Sequence, residues 1–252
     1  MEPPQLCQFL DWDSTFFGRR IGRVVNHRLT ERNIEEIFRW SAAESIDCLY
    51  YLADPSDGES LRIAQKWGFL ITDVRITFER KLEDLNKMSR SGGDVVVRPS
   101  EEKDIPALRA LARTNHRDTR FYYDPNFTDA QCSALYDVWM DKSCKGYSDI
   151  VLIADVGGSI GGYITCHLDE GHIGRIGLAG VKDGFRGKGL GTLLVDQALV
   201  WFKNASAEKA TVVTQGRNIK AQRLYEQCGF FTRSLEVWFH RWFTPAHSEN
   251  GR

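Results

Sequence analysis

The chain has 252 residues, a length that suits one large domain or two smaller ones. Its 33 Lys and Arg residues nearly balance 34 Asp and Glu residues, and the formal net charge of -1 excludes the strong positive field of proteins that bind nucleic acid or anionic lipid non-specifically. Hydrophobic residues at 42% and aromatic residues at 12% supply enough apolar surface for a packed core, which excludes a disordered chain.

Membrane, secreted and metal-binding proteins are also disfavoured. Charges or glycines interrupt the apolar runs well before the roughly 20 residues that a bilayer crossing needs. The N-terminal Met1-Glu2-Pro3-Pro4-Gln5 has an acid and prolines where a secretory signal has basic and then apolar residues. The six cysteines stand far apart, without zinc-site spacing. We therefore expect a cytoplasmic protein with no membrane partner, no metal, and reduced, mostly structural cysteines.

The first third of the chain predicts a small domain of mixed helices and strands. The predicted elements are a strand or hairpin at 16–25, a helix at 31–45, a short buried strand at 48–52, a helix at 59–67 and a strand at 69–80. A polar stretch at 83–93 then lacks apolar periodicity and ends in Gly92-Gly93, which is typical of a linker. We place the first domain at 1–82.

The second domain is predicted at 94–243, followed by a C-terminal tail at 244–252. Its predicted elements are strands at 95–99, 150–156, 160–168, 172–181, 210–214 and 230–242, and helices at 104–113, 128–142, 190–204 and 218–227, with an aromatic loop at 121–127. The glycine turns between the strands at 150–181 are short, which indicates an antiparallel meander. The fold class is α+β, with mixed α/β content.

The two predicted domains end in similar sequences. Residues 60–69 (SLRIAQKWGF) and 221–230 (AQRLYEQCGF) both run from a helix through Gly-Phe into a strand. The same offset of 161 also matches Arg62 with Arg223, Phe78 with Phe239 and Arg80 with Arg241. The match is short, and Gly-Phe after a helix is a common construction. A degenerate internal duplication and a coincidence both stay open.

The most informative stretch is Val181-Lys182-Asp183-Gly184-Phe185-Arg186-Gly187-Lys188-Gly189-Leu190-Gly191-Thr192, between a predicted strand and an amphipathic helix. Closely spaced glycines let backbone N–H groups converge, and a following helix N-terminus adds further donors and a positive dipole end. Such a loop can hold a pyrophosphate, with Arg186 and Lys188 adding charge. It is neither a Walker loop nor a dinucleotide fingerprint, and alone it is also consistent with a structural turn.

A second motif decides between these interpretations. Arg186-x-x-Gly189-x-Gly191, followed one helix and one strand later by Asn218-x-x-Ala221-x-x-Leu224-Tyr225, resembles the Gcn5-related N-acetyltransferase (GNAT) family. The likeness covers about 95–242. It implies a central, twisted, mostly antiparallel sheet, with acetyl-coenzyme A as cosubstrate, and the first domain would be a smaller, partial copy that has lost the chemistry.

The resemblance also implies roles for named residues. Tyr225 would be the general acid that protonates the leaving thiolate. The cofactor-binding residues would be Leu178, Ala179, Val181, Phe185, Arg186, Gly187, Lys188, Gly189, Leu190, Gly191, Thr192, Asn218 and Leu224. The carboxylate base that many members carry is missing, because residues 173–181 read IGRIGLAGV. A water relay to His116, Asp118, Asp124 or His167 would replace it, or the acceptor amine would need little help.

The acceptor is indicated by two further segments. Residues 10–24 together with 120–127 resemble family members that acetylate dTDP-linked amino sugars for cell-surface polysaccharides. That resemblance implies a small-molecule acceptor bound by Arg120, Phe121, Tyr122 and Tyr123, although a hydrophobic plug explains this loop equally well. The cofactor motifs equally allow a peptide N-terminus, a polyamine or an antibiotic amine as acceptor, and a non-catalytic acyl-coenzyme A module is a further alternative. A homodimer is left open.

Overall fold

A computed structural model describes residues 5–83 and 94–243 of the chain. The strands are β1 (Cys7–Phe9), β2 (Ile21–Val24), β3 (Cys48–Ala53), β4 (Leu70–Lys81), β5 (Val95–Pro99), β6 (Ile150–Val156), β7 (Ser159–Asp169), β8 (Ile173–Val181), β9 (Lys209–Gln215) and β10 (Phe231–Trp242). The helices are α1 (Asp11–Phe17), α2 (Glu31–Ala43), α3 (Gly58–Lys66), α4 (Ile105–Asn115), α5 (Asp129–Lys142), α6 (Leu190–Asn204) and α7 (Ile219–Gln227). Within these ranges no helix has both the length and the apolar character that crossing a membrane requires.

The described residues form two compact units that are discontinuous in sequence. Unit 1 holds 5–75, 119–131 and 235–243, and unit 2 holds 76–83, 94–118 and 132–234. Strands β4 and β10 therefore contribute residues to both units. The predicted division into domains at 1–82 and 94–243 follows the sequence and stays a prediction. Of the predicted linker and tail, 84–93 and 244–252 lie outside the described residues.

Unit 1 has a mixed sheet around one hydrophobic core. Strand β2 pairs antiparallel with β1 and parallel with β3, and β3 pairs antiparallel with Val237–Trp242 of β10. Helix α2 begins at a capping box formed by Thr30 and Asn33, and its residues Ile34 and Ile37 are fully buried in the core. The helices and the sheet thus enclose a core built from side chains of α2, β3, α3 and β10.

One element of unit 1 differs from the prediction. The segment 16–25 was predicted as a strand or hairpin because it is rich in aromatic and branched residues, but Phe16 and Phe17 end helix α1 and only Ile21–Val24 is a strand. Gly18 has a φ of 63° and closes the helix in the left-handed conformation. The Ile21 N–H then donates to Ser14 Oγ at 2.9 Å, which fixes the turn into β2.

Unit 2 contains the predicted antiparallel meander. Strands β5, β6, β7 and β8 pair antiparallel in chain order, and β9 then pairs parallel with β8. Helix α6 packs closely on the sheet because glycines on the strands lack a Cβ atom. A Cβ on Gly161 would lie 2.7 Å from Leu190 Cδ2, and one on Gly174 would collide with the Phe202 ring.

The matched positions of the two halves make equivalent contacts in the two units. In unit 1, the Arg241 guanidinium lies over Gly68, where a Cβ would be 3.3 Å from Nε. In unit 2, the Arg80 guanidinium lies over Gly229, where a Cβ would be 3.3 Å from Cζ. Both glycines have a φ of 76°. The pairs differ by the same offset of 161, so each unit takes its arginine from the strand of the other sequence half, which supports an internal duplication.

Candidate active site

The start of helix α6 provides an anion site in unit 2. Gly187 and Gly189 have φ values of 74° and 79°, in the left-handed region that favours glycine. Gly189 is the N-cap residue of α6 and supplies no side-chain cap. The N–H groups of the first helical turn have no intrahelical acceptors, and the helix dipole is positive there. This cradle fits the pyrophosphate of acetyl-coenzyme A, the ligand predicted for it.

The turn before α6 uses some of the backbone N–H groups that were predicted to bind the pyrophosphate. The N–H groups of Phe185 and Arg186 donate to the carbonyl oxygens of Lys182 and Asp183 at 2.8 and 3.2 Å. The Arg186 guanidinium contacts Asp183 Oδ1 at 2.9 Å and donates to Asn115 Oδ1 at 3.3 Å. The amides that the turn leaves for a pyrophosphate are therefore those of residues 187–192.

Strand β8 opens an edge beside this loop. The ladder to β9 joins only Ile173–Ile176 to Lys209–Val212, so among the residues that the structure describes no strand pairs with β8 on that side from Gly177 onward. A bulge lies where the register with β7 shifts, and there the Leu178 N–H donates to Thr165 Oγ1 at 2.8 Å. The Lys182 N–H donates toward β7, to Gly161 O at 2.9 Å. Since main-chain groups alternate along a strand, those of Val181 and Ala179 turn to the open edge.

An extended ligand could pair with this open edge like an extra strand. Of the predicted arm-binding residues, Ala179 and Val181 meet that requirement. Leu178 differs, because its N–H is already bonded to Thr165 and the residue does not line the cavity described below. The bulge that redirects the Leu178 N–H depends on the Thr165 hydroxyl of β7. The sequence of β8 alone therefore could not predict the bulge.

Helix α7 places Tyr225 and Leu224 opposite the loop. Asn218 is the N-cap of α7, and its Oδ1 accepts the Ala221 N–H at 3.1 Å, so its Nδ2 is the group that can donate to a ligand. Leu224 packs against the position of Gly191, where a Cβ would be 3.2 Å from Leu224 Cδ2. Tyr225 is 5% exposed, and burial raises its pKa above the ordinary value. The phenol is therefore protonated at neutral pH, as a proton donor must be.

A cavity of about 700 Å³ joins these features. It is lined by the predicted residues Ala179, Val181, Phe185, Arg186, Gly187, Gly189, Leu190, Gly191, Thr192, Asn218, Leu224 and Tyr225. Leu178 and Lys188 do not line it; the Lys188 Nζ lies 5.4 Å from the centre of the Phe185 ring. The candidate relay Asp118 also lines the cavity. Lining residues that the sequence did not predict include Thr114 and Asn115 at the end of α4, Arg117 just after it, Tyr163 on β7, and Lys220 and Arg223 on α7.

The predicted acceptor residues 120–123 lie in unit 1, where Arg120 belongs to a buried polar cluster. Its guanidinium lies 4.2 Å from the Tyr50 ring centre and 2.8 Å from His240 Nε2. His240 is fully buried, and its Nδ1 donates to Asp124 Oδ2 at 2.5 Å. Since Arg120 can only donate, His240 Nε2 accepts and its Nδ1 carries the hydrogen.

The remaining candidates are divided between surface and core. Phe121 is 3% exposed and stacks on Phe17 at 5.4 Å, whereas Tyr123 is 55% exposed and Tyr122 is half-buried. A role of residues 120–123 in acceptor binding stays a prediction. Asp124, a candidate relay, lies in unit 1, where its carboxylate accepts hydrogen bonds from His240 and, at 2.8 Å, from Trp242 Nε1. His167 is buried, and its Nε2 lies 3.2 Å from Ser148 Oγ. It does not line the cavity.

All six cysteines are free thiols, and five of them are buried. Burial raises the pKa of the Cys228 thiol to about 12, so it is not a thiolate at neutral pH. Among the residues that the structure describes, no group of His, Cys, Asp or Glu side chains is arranged to hold a metal ion.

Comparison with known proteins identifies the domain that carries this cavity. Residues 111–230 match the acetyltransferase (GNAT) family. The chain is 26% identical over 240 residues to dTDP-fucosamine acetyltransferase of Escherichia coli O6:H1, covering 92% of this chain and 96% of that protein. It is also 26% identical over 151 residues to a spore coat polysaccharide biosynthesis protein of Bacillus subtilis, covering 57% of this chain and 50% of that protein.

The fold agrees with a solved member of the family. The crystal structure of a GCN5-related N-acetyltransferase from Sphaerobacter thermophilus superposes with a TM-score of 0.71 at 14% identity, covering 95% of this chain and 77% of that one. The predicted fold class and family are confirmed by these matches. The chain therefore carries an acetyltransferase domain of the GNAT family and is an acyltransferase enzyme.

Proposed function

We propose that this enzyme transfers the acetyl group of acetyl-coenzyme A to the amino group of a dTDP-type, nucleotide-linked deoxy-amino sugar. The observation that carries the proposal is a cavity of unit 2 in which the uncapped start of α6, the open edge of β8 and the phenol of Tyr225 come together. These are the three parts that a thioester donor needs: a pyrophosphate site, an edge for the pantetheine arm and an acid for the thiolate.

Backbone groups bind acetyl-coenzyme A, and one side chain supplies the acid. The N–H groups of 187–192 bind the pyrophosphate through hydrogen bonds and the helix dipole. The edge groups of Ala179 and Val181 hold the arm, and an N–H there stabilises the charge that develops on the thioester oxygen. Tyr225 donates its proton to the departing sulfur. Because burial raises the pKa of Tyr225, the proton moves only as negative charge builds on sulfur.

The acetyl group passes directly to the amine. An acyl-enzyme would need an activated nucleophile beside the thioester. Within the described part of the chain, the cavity has no cysteine among its lining residues, and Cys228 lies buried with a raised thiol pKa. A ternary complex of enzyme, acetyl-coenzyme A and acceptor is the simpler route.

The proposed acceptor is supported by the names of two relatives and by the positively charged residues that line the cavity. The relative that matches along 92% of this chain is named for dTDP-fucosamine, and a second relative is named for spore coat polysaccharide. Arg117 lines the cavity at the end of α4, and Arg223 lines it on α7. Such guanidinium groups suit a substrate that carries phosphates. We also place the reaction in the cytoplasm and in the synthesis of cell-surface polysaccharide, and leave the oligomeric state to measurement.

A panel of acceptors tests the proposal. Purified enzyme would be mixed with acetyl-coenzyme A and, separately, a dTDP-linked amino sugar, the matching UDP sugar, an N-terminal peptide, spermidine and an aminoglycoside, and the release of free thiol would be followed. We expect the dTDP sugar to give the highest kcat/KM. Turnover of the peptide, spermidine or aminoglycoside without turnover of either nucleotide sugar would overturn the sugar assignment, and turnover of none would favour a binding module.

A conservative variant tests the acid. Tyr225→Phe removes only the phenolic hydroxyl, and we expect kcat to fall about 100-fold while the KM for acetyl-coenzyme A changes little. Tyr147→Phe is the matched control, because Tyr147 is 68% exposed and does not line the cavity. Equal kcat values for the two variants would refute the role of Tyr225.

A further inference from the structure

The transfer also needs a group that takes the proton of the amine, and strand β8 carries no carboxylate. Sequence patterns left four candidates for this step, which are His116, Asp118, Asp124 and His167. Asp124 belongs to unit 1, and neither histidine lines the cavity. Asp118 lines it. One of the four candidates is therefore placed in the same cavity as Tyr225, the proposed acid.

The cavity offers two carboxylates in the part of the chain that the structure describes, those of Asp118 and Asp183. The side chain of Asp183 is 86% exposed and pairs with Arg186 at 2.9 Å, so its charge is already engaged within the loop. Asp118 is half-buried, and its carboxylate has neither a hydrogen bond nor an ion pair within residues 5–83 and 94–243. Its oxygen lone pairs are free to accept a proton from a molecule in the cavity.

Packing at the end of α4 sets the position of Asp118 along β8. The Asn115 amide lies over Gly180, where an added Cβ would collide with the Nδ2 atom. His116 Nε2 lies 2.7 Å from the hydroxyl of the fully buried Tyr163, which is the partner of Gly180 in the β7–β8 ladder. Gly180 stands between the two edge residues to which the pantetheine arm is assigned. The Cα atom of Asp118 is at most roughly 11 Å from that of Asn115, the reach of three residues, so the carboxylate is held at the same part of β8 as the arm.

We propose that Asp118 is the general base of the transfer. As the amine nitrogen bonds to the carbonyl carbon, the nitrogen becomes positively charged, and one of its protons passes to a carboxylate oxygen of Asp118, directly or through one water. The carbon–sulfur bond breaks with its electron pair on sulfur, which takes the proton of Tyr225. Solvent then removes the proton from Asp118 and returns one to Tyr225. The assignment rests on the proposed function in requiring an amine acceptor.

The timing of the proton transfer suits a carboxylate. Carboxylic acids in water have pKa values of about 4, whereas amines have values of about 8 to 10, so a carboxylate does not deprotonate the acceptor before the attack. Bond formation to the carbonyl carbon withdraws electrons from the nitrogen and makes its N–H far more acidic. The proton therefore leaves as the new bond forms, which is when a general base contributes most.

Two variants and a control test the base on whichever amine of the panel the wild-type enzyme acetylates. Asp118→Asn keeps the size of the side chain but cannot take up a proton, and we expect kcat at pH 7 to fall about 100-fold with less than about a threefold change in the KM for acetyl-coenzyme A. Asp118→Ala should lose as much and also leaves space beside the acceptor. Glu170→Gln is the matched control, because Glu170 is exposed in the turn between β7 and β8 and does not line the cavity. Its kcat should equal that of the wild type.

Chemical rescue separates proton transfer from a structural role. Formate is a carboxylate small enough to enter the space that Asp118→Ala leaves, and it should raise the kcat of that variant about tenfold in a saturable way, whereas sodium chloride at the same ionic strength should not. Formate should leave Asp118→Asn unchanged, because the carboxamide still fills the space. It should also leave Tyr225→Phe unchanged, because that variant lacks the acid. Retained thermal stabilisation by acetyl-coenzyme A shows that each variant is folded and binds its donor.

Three results would overturn the base. They are a kcat within about threefold of wild type for Asp118→Asn, a loss confined to the KM for the acceptor, and an Asp118→Ala variant that formate does not rescue. Acetylation of spermidine alone would refute the sugar acceptor while still testing the base, and a wild-type enzyme inactive on every amine overturns both.

Discussion

Acidification should destabilise unit 1 through His240. Its imidazole is fully buried between Arg120 and Asp124, and burial lowers its pKa from 6.5 to about 4. The folded state therefore binds fewer protons than the unfolded state between these values, and its stability is present above pH 6.5 and lost as the pH falls toward 4. From pH 7 to pH 5 the loss works out to about 2 kcal/mol.

This loss can be read by calorimetry. Two kcal/mol corresponds to a Tm decrease of roughly 4 to 8 °C for a chain of this size. His116 and His167, whose pKa values burial also lowers, add to the Tm decrease over the same pH range. Asp124 has a lowered pKa and adds to the effect only below pH 4, whereas Asp13, whose pKa burial raises, works in the opposite direction. The Tm of the wild-type protein should therefore fall steadily between pH 7 and pH 5.

The matched variant is His240→Asn, whose side-chain amide can still donate to Asp124 but does not titrate in this range. We expect it to have a lower Tm at pH 7, because the ring that stacks on Tyr50 at 4.5 Å is lost, and a smaller decrease on going to pH 5. A variant with the full wild-type pH dependence, or a wild-type Tm that is the same at pH 5 and pH 7, would refute the reasoning.

Three glycine substitutions give further predictions. Gly189→Ala forces a side chain into a φ of 79°, at a cost of about 1–2 kcal/mol, and should raise the KM for acetyl-coenzyme A about tenfold. Gly184→Ala in the same loop meets nothing within 4 Å, so steady-state kinetics should show no change, and equal KM values for both variants would contradict the cradle. Gly174→Ala collides with the Phe202 ring and should lower the free energy of unfolding by about 1–3 kcal/mol in urea titrations without raising that KM; an unchanged midpoint would show that α6 can shift.

Local patterns were sufficient for much of unit 2. The apolar spacing of α6 and the short glycine turns of the meander are confirmed as a helix and as antiparallel strands. Closely spaced glycines determine the backbone of the loop between β8 and α6, so the sequence could predict that backbone, whereas its role as an anion site stays a prediction. The prediction succeeds wherever a few neighbouring residues determine the backbone.

Other features depend on residues that are distant in sequence. Tyr163 and the end of α4 reach the cavity only through the pairing of β7 with β8 and the packing of α4, for which no motif exists. The aromatic content of Phe16-Phe17 favoured a strand, but burial of Phe17 at the end of a helix overrode that preference. The bulge at Leu178 likewise depends on Thr165 from another strand.

The arginine over each matched glycine has a consequence for the history of the protein. Residues 76–83 belong to the N-terminal part of the chain, yet they contribute to unit 2: the Leu82 N–H donates to Glu208 O at 2.9 Å, and the Phe78 ring lies 6.1 Å from that of Tyr225. A shortened chain that lacked residues 76–83 would therefore also lack the Phe78 ring that packs beside Tyr225, the proposed acid. A search for a minimal active enzyme therefore has to keep β4 together with the residues of unit 2 that follow it.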